Sequence, residues 1–87
     1  MEKIDVEKPS DYFIGKHISE YGPFVGGKNL RKLLGYSTYE SFRQADNRKQ
    51  LPVKTFNLPK RKGKYALTED VAKWLYKTVQ EVRNMSG

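Results

Sequence analysis

Apolar positions recur at helical spacing in three stretches of the chain and alternate in one. Ile14, Ile18 and Tyr21 follow the helix-start signal Pro9-Ser10-Asp11 and predict a short amphipathic helix over 11–21, ended by Gly22-Pro23. Phe24-Val25 reads as a short extended piece before a Gly26-Gly27 turn. Leu30, Leu33 and Leu34 then form an i, i+3, i+4 stripe, with Gly35 where a left-handed C-terminal cap is wanted. Ser37-Thr38-Tyr39-Glu40 has the form of a capping box, Ser37 accepting from the Glu40 amide. A second short helix is expected over 38–47, with Phe42 and Ala45 turned inward.

Leu51-Pro52 cannot continue that helix. Phe56 and Leu58 alternate with polar neighbours and predict a strand over about 54–58. Pro59-Lys60-Arg61-Lys62-Gly63 is a turn, and 64–67 is expected to return as the second strand of a hairpin with a cationic tip. Thr68 is expected to cap a final helix over about 69–84, where Glu69 and Asp70 favour the helix dipole. Val71, Trp74, Leu75, Thr78, Val79 and Val82 keep helical spacing along it, which makes Trp74 a core residue. Residues 1–10 are charged and unpatterned and are expected to form a loose arm, leaving 11–84 as a single domain.

Composition narrows the class. Eighty-seven residues allow one small domain, and 37% hydrophobic residues is low, but six Tyr, four Phe and one Trp can close a modest core. With no cysteine and a single histidine, His17, neither disulfides nor Cys- or His-rich metal sites can form. The opening residues are polar, and no apolar run approaches the ~20 residues of a membrane span. No phosphate loop, nucleophile elbow or acid/base pair is present. These features fit a binding protein with no cofactor, metal or small-molecule substrate, rather than an enzyme, and a cytoplasmic, nucleoid-associated location.

The net charge of +7 is concentrated. Residues 28–64 hold eleven bases against Glu40 and Asp46, a net of +9, and 47–68 contain no acid. Self-repulsion of that kind favours an external polyanion as partner. The basic block covers two short helices joined by a tight glycine turn (about 28–47) and the hairpin (about 54–67): the order of a winged helix-turn-helix, mainly α with a small β wing. In such a unit the second helix enters the major groove, where Arg suits guanine and Gln or Asn suits adenine. The expected readers are Ser37, Thr38, Tyr39, Arg43, Gln44, Asn47 and Arg48. Lys28, Arg31, Lys32 and Lys54 are expected to meet backbone phosphates, and Lys60, Arg61, Lys62 and Lys64 on the wing to meet phosphates or a narrow minor groove.

Residues 27–75 resemble the small DNA-binding proteins of the excisionase, AlpA and MerR-like winged-helix group. The likeness lies in NLRKLLGYS (29–37), LPV (51–53), KRKGKYA (60–66) and DVAKWL (70–75), in that order. The resemblance implies a recognition helix over 38–48 and a groove- or phosphate-contacting hairpin over 60–64. It also implies the role of a bacterial, phage or mobile-element transcriptional regulator, or of an excisionase-type directionality factor. No long coiled coil follows the wing, which departs from the ligand-sensing MerR form. A chain this small covers one half-site, so a dimer or a cooperative array on double-stranded DNA is expected. Two other readings stay open: a protein-interaction module, such as a phage- or plasmid-encoded inhibitor on the same fold, and a binder of structured RNA.

Overall fold

The computed structural model describes residues 11–86; the arm expected over 1–10 lies outside them. Four helices and two short strands follow in the order α1 (Asp11–Tyr21), β1 (Phe24–Gly26), α2 (Gly27–Leu33), α3 (Tyr39–Asn47), β2 (Tyr65–Leu67) and α4 (Thr68–Ser86). The fold is therefore mainly helical, with one small antiparallel sheet.

The sheet is not the expected hairpin. β2 pairs with β1, placing Val25 opposite Ala66 and Gly26 opposite Tyr65, across a sequence separation that local pattern does not reveal. Residues 54–58 form no strand; Phe56 alone bonds to Tyr65, through both backbone groups at 2.9 and 2.8 Å. The ladder stops there for a reason visible in the side chains. Asn57 Nδ2 donates to the Gly63 carbonyl at 3.2 Å, and the Leu58 carbonyl accepts from Arg61 N at 3.2 Å, so the groups that would extend the pairing are already bonded. Pro59 and Lys60 occupy the centre of that 58–61 turn, with Lys60 at φ +60°.

The core gathers Val25, Leu30, Leu34, Phe42, Ala66 and Val71, with Trp74, Leu75, Tyr36 and Leu51 packed against it. Phe42 and Ala45 are buried on α3 and Trp74 lies against the core, as the periodicity predicts. α1 lies along α4, where Phe13 meets Tyr76 edge-on at 5.3 Å between centroids, and His17 packs between Phe13 and Tyr21. Thr68 opens α4 rather than preceding it. Its buried hydroxyl donates to the Gly22 carbonyl at 2.6 Å while its amide donates to Pro23 at 3.0 Å, pinning the last helix to the end of the first. α4 also continues past the expected stop near Asn84, to Ser86. On its surface Glu69 accepts from Lys73 at 2.9 Å, and that hydrogen bond, with the carboxylate's charge, raises the lysine pKa.

Two helix ends close in the same way. After α2, Gly35 lies at φ +88°, its amide bonding to Lys32 and that of Tyr36 to Arg31, the paired bonds of a Schellman cap. After α3, Lys49 N bonds to the Asp46 carbonyl and Gln50 N to Ala45, but the left-handed position, φ +57°, is held by Lys49. The expected glycine cap is present at Gly35, and its counterpart carries a lysine.

Candidate nucleic-acid interface

α3 begins one residue later than the capping box implies. Thr38 is extended (φ −130°, ψ 155°) and its Oγ1 accepts from Ser41 N at 3.1 Å, making Thr38 the N-cap. Ser41 Oγ donates back to the Thr38 carbonyl at 3.0 Å. Ser37 is left outside the helix, its carbonyl held by Arg31 Nη1 at 2.8 Å. Ser37 and Thr38 are adjacent residues that can each cap a helix; here Thr38 does so, and the Ser37 carbonyl is taken by Arg31.

Arg31 also reaches the Tyr36 carbonyl at 3.2 Å. Its guanidinium thus spans the α2–α3 link instead of standing free for a phosphate. Tyr36 is half-buried and meets Phe42 edge-on at 6.0 Å between centroids. Tyr39, by contrast, is 65% exposed at the first turn of α3.

Arg43, Gln44, Asn47 and Arg48 are exposed along α3, on the side away from Phe42 and Ala45. Two of them converge on an acid: Arg43 Nη2 donates to Glu40 Oε2 at 3.0 Å, and Gln44 Nε2 to the same oxygen at 3.4 Å. The capping-box pattern implies a cap role for Glu40, whereas its carboxylate pairs with Arg43 and Gln44, at the i, i+3, i+4 spacing that brings side chains together on one helix face.

The 54–64 loop returns to α3 through Asp46. Asp46 Oδ1 accepts from Thr55 Oγ1 at 2.9 Å, and Oδ2 lies 3.8 Å from Lys64 Nζ. Lys64, expected on the wing surface, therefore turns toward α3. Asp46 and Thr55 had no signature in the sequence, because their pairing depends on how the loop folds back. Between the helix and the loop lies a cleft of about 270 Å³ lined in part by Tyr39, Arg43, Asn47, Asn57 and Lys64.

Of the eleven bases in 28–64, Arg31 is bonded to carbonyls, Arg43 pairs with Glu40, and Lys64 pairs with Asp46. The other eight are Lys28, Lys32, Arg48, Lys49, Lys54, Lys60, Arg61 and Lys62. All are exposed and have no acid partner among the described residues. Among the described residues no cluster of His, Cys, Asp or Glu is placed to hold a metal, and no helix is long and apolar enough to cross a membrane. Comparison with models of protein families, with curated proteins and with solved structures finds no match for this chain.

Proposed function

We propose that this chain is a winged helix-turn-helix protein that binds specific double-stranded DNA, in the manner of the excisionase-like group its motifs resemble. In this reading α2 and α3 form the helix-turn-helix and 54–64 the wing. α3 lies in the major groove, which is wide enough for one helix, and presents Tyr39, Arg43, Gln44, Asn47 and Arg48 to base edges. Lys28, Lys32 and Lys54 meet phosphates, and Lys60, Arg61 and Lys62 extend the contact to the next groove. Arg31 serves as a brace for the turn, and Lys64 as a tie between wing and helix.

The observation that carries the reading is the set of eight exposed cations without an acid partner among the described residues: two on α2, two just past the end of α3 and four in the loop that follows. Unpaired like charge at this density is costly without a polyanion, and the flanking polar side chains on α3 are those that discriminate bases. The protein acts as a regulator or a directionality factor in the cytoplasm, on the nucleoid. It self-associates as a dimer or a cooperative array, since one unit reads only one half-site.

A salt series of gel shifts with a selected duplex, an unrelated duplex and duplex RNA tests the proposal. Specific duplex is expected to bind best, with log K falling against log salt by about 0.9 per phosphate neutralised. Replacing Lys60, Arg61 and Lys62 by Ala should weaken binding to every duplex and flatten that slope by about 2 to 3. Equal binding to all three nucleic acids sinks the specific reading. No binding to any of them turns the basic face toward an acidic protein.

A further inference from the structure

Glu40 stands where a surface made for phosphates has no use for an acid. It is one of two acids in the 28–64 block, and the other, Asp46, is drawn in toward Thr55 and Lys64. The Glu40 side chain is 61% exposed on the first turn of α3. A carboxylate there repels the DNA backbone and lowers affinity for every sequence alike. Structural roles account for little of its presence: Thr38 already caps the helix, and an exposed pair with Arg43, itself 49% exposed, adds little to stability. A favourable interaction with the helix dipole remains, but any acid in the first turn supplies that. What is particular to Glu40 is that a single oxygen, Oε2, accepts from both Arg43 and Gln44.

This inference rests on the DNA-binding reading above. We propose that Glu40 is the specificity-determining residue of α3: it accepts from the N4 amino group of a cytosine in the major groove and, through Oε2, aims the Arg43 guanidinium at an adjacent guanine. The chemistry follows from the groove itself. Cytosine N4 and adenine N6 are the base-edge donors displayed there, and a carboxylate is the side-chain acceptor that suits cytosine. Guanine N7 and O6 form the bidentate acceptor that suits Arg. Opposite a thymine or guanine edge the Glu40 carboxylate meets only acceptors and is left repelled, so it excludes wrong sites as well as selecting the right one.

Selection of bound duplexes from a random pool with wild type, Glu40→Gln and Glu40→Ala tests this, with circular dichroism melts to confirm that the variants stay folded. The wild-type motif is expected to contain a fixed cytosine beside a guanine. Glu40→Gln should move the preference at that cytosine toward adenine, the base whose N6 and N7 suit an amide. Glu40→Ala should lose the preference and reduce discrimination at that position by about 5- to 150-fold, while binding unrelated DNA more tightly than wild type. An enriched wild-type motif that both variants reproduce, with the same ratio of specific to unrelated binding, overturns the assignment alone. A wild-type pool with no enriched motif overturns the DNA-reading proposal and this assignment together.

Discussion

Asp46 Oδ1 accepts a 2.9 Å hydrogen bond from Thr55 Oγ1, and through it the last turn of α3 and the 54–64 loop are held as one body. The carboxylate is mostly shielded, its side chain 15% exposed, whereas Lys64 on its other oxygen is 39% exposed and 3.8 Å away. The threonine bond is therefore the stronger tie, since hydrogen bonds to charged groups contribute more than a loose, partly solvated ion pair. Thr55→Val should lower stability by about 1.5–3 kcal/mol, and Lys64→Met by less than about 1 kcal/mol, both read from urea midpoints at unchanged m-value. The reverse order would mean that charge, not the hydroxyl, joins loop to helix.

The two Schellman caps give opposite expectations for the same kind of exchange. Lys49 holds φ +57° at the end of α3, a conformation that costs a residue with a Cβ roughly 1–2 kcal/mol and glycine almost nothing. Lys49→Gly should stabilise the protein by about 1 kcal/mol. Gly35→Ala, at φ +88° after α2, should destabilise it by a similar amount. Thermal melts of the two variants, expected to shift in opposite directions from wild type, check both.

Gly26 is closed to any side chain for a different reason. A Cβ there would lie 2.6 and 2.7 Å from the Tyr65 ring and 2.9 Å from the Lys64 carbonyl, on the line where β1 meets β2. Gly26→Ala should cost about 1–3 kcal/mol, the range for overpacked sites. Combining it with Tyr65→Ala should recover part of that loss, because the ring is then gone. A double-mutant cycle with no coupling would show that the backbone contact alone sets the cost.

The buried Thr68 hydroxyl, 2.6 Å from the Gly22 carbonyl, secures the start of α4. Thr68→Val keeps the shape but strands that carbonyl, and is expected to cost about 1–3 kcal/mol. Thr68→Ser keeps the bond and should cost less, about the value of one buried methyl group, ~1 kcal/mol. Chemical denaturation of both variants separates the hydroxyl from the methyl; a serine variant weaker than the valine one would count against the bond.

The sequence made the helices legible because their apolar spacing is local. Ile14, Ile18 and Tyr21 mark α1, Leu30, Leu33 and Leu34 mark α2 and the start of its cap, and Val71, Trp74 and Leu75 mark α4. The strand pairing was not legible. Phe56 and Leu58 alternate like a strand, yet the partner that β2 takes is β1, 39 residues earlier from Tyr65 to Gly26, and nothing in a short window ranks one edge against the other. The cap of α3 lies one residue later than the pattern implies, and Arg31 of α2 holds the Ser37 carbonyl in the link, a bond the capping pattern does not reveal. Within the candidate site, the exposure of Arg43 and Gln44 followed from their spacing against Phe42 and Ala45. Their shared oxygen on Glu40 is legible in the i, i+3, i+4 spacing, whereas the inward turn of Lys64 depends on how the loop folds back, to which charge counting is blind.

Pairing β1 directly with β2 also gives the chain a frame and an insert. α1, β1, β2 and α4 form the frame, closed by the Thr68–Gly22 bond, and residues 27–64 are a single excursion that leaves it at Gly26 and returns at Tyr65. Charge divides along the same seam: the excursion carries +9, while 11–26 and 65–86 together hold four bases and five acids. Closing a longer loop costs only slowly growing entropy. The excursion is nevertheless anchored, because its Leu30, Leu34 and Phe42 complete the core with Val25, Ala66 and Val71 of the frame; its buried side is fixed by packing, and only its charged outer side is free to change without cost to the fold.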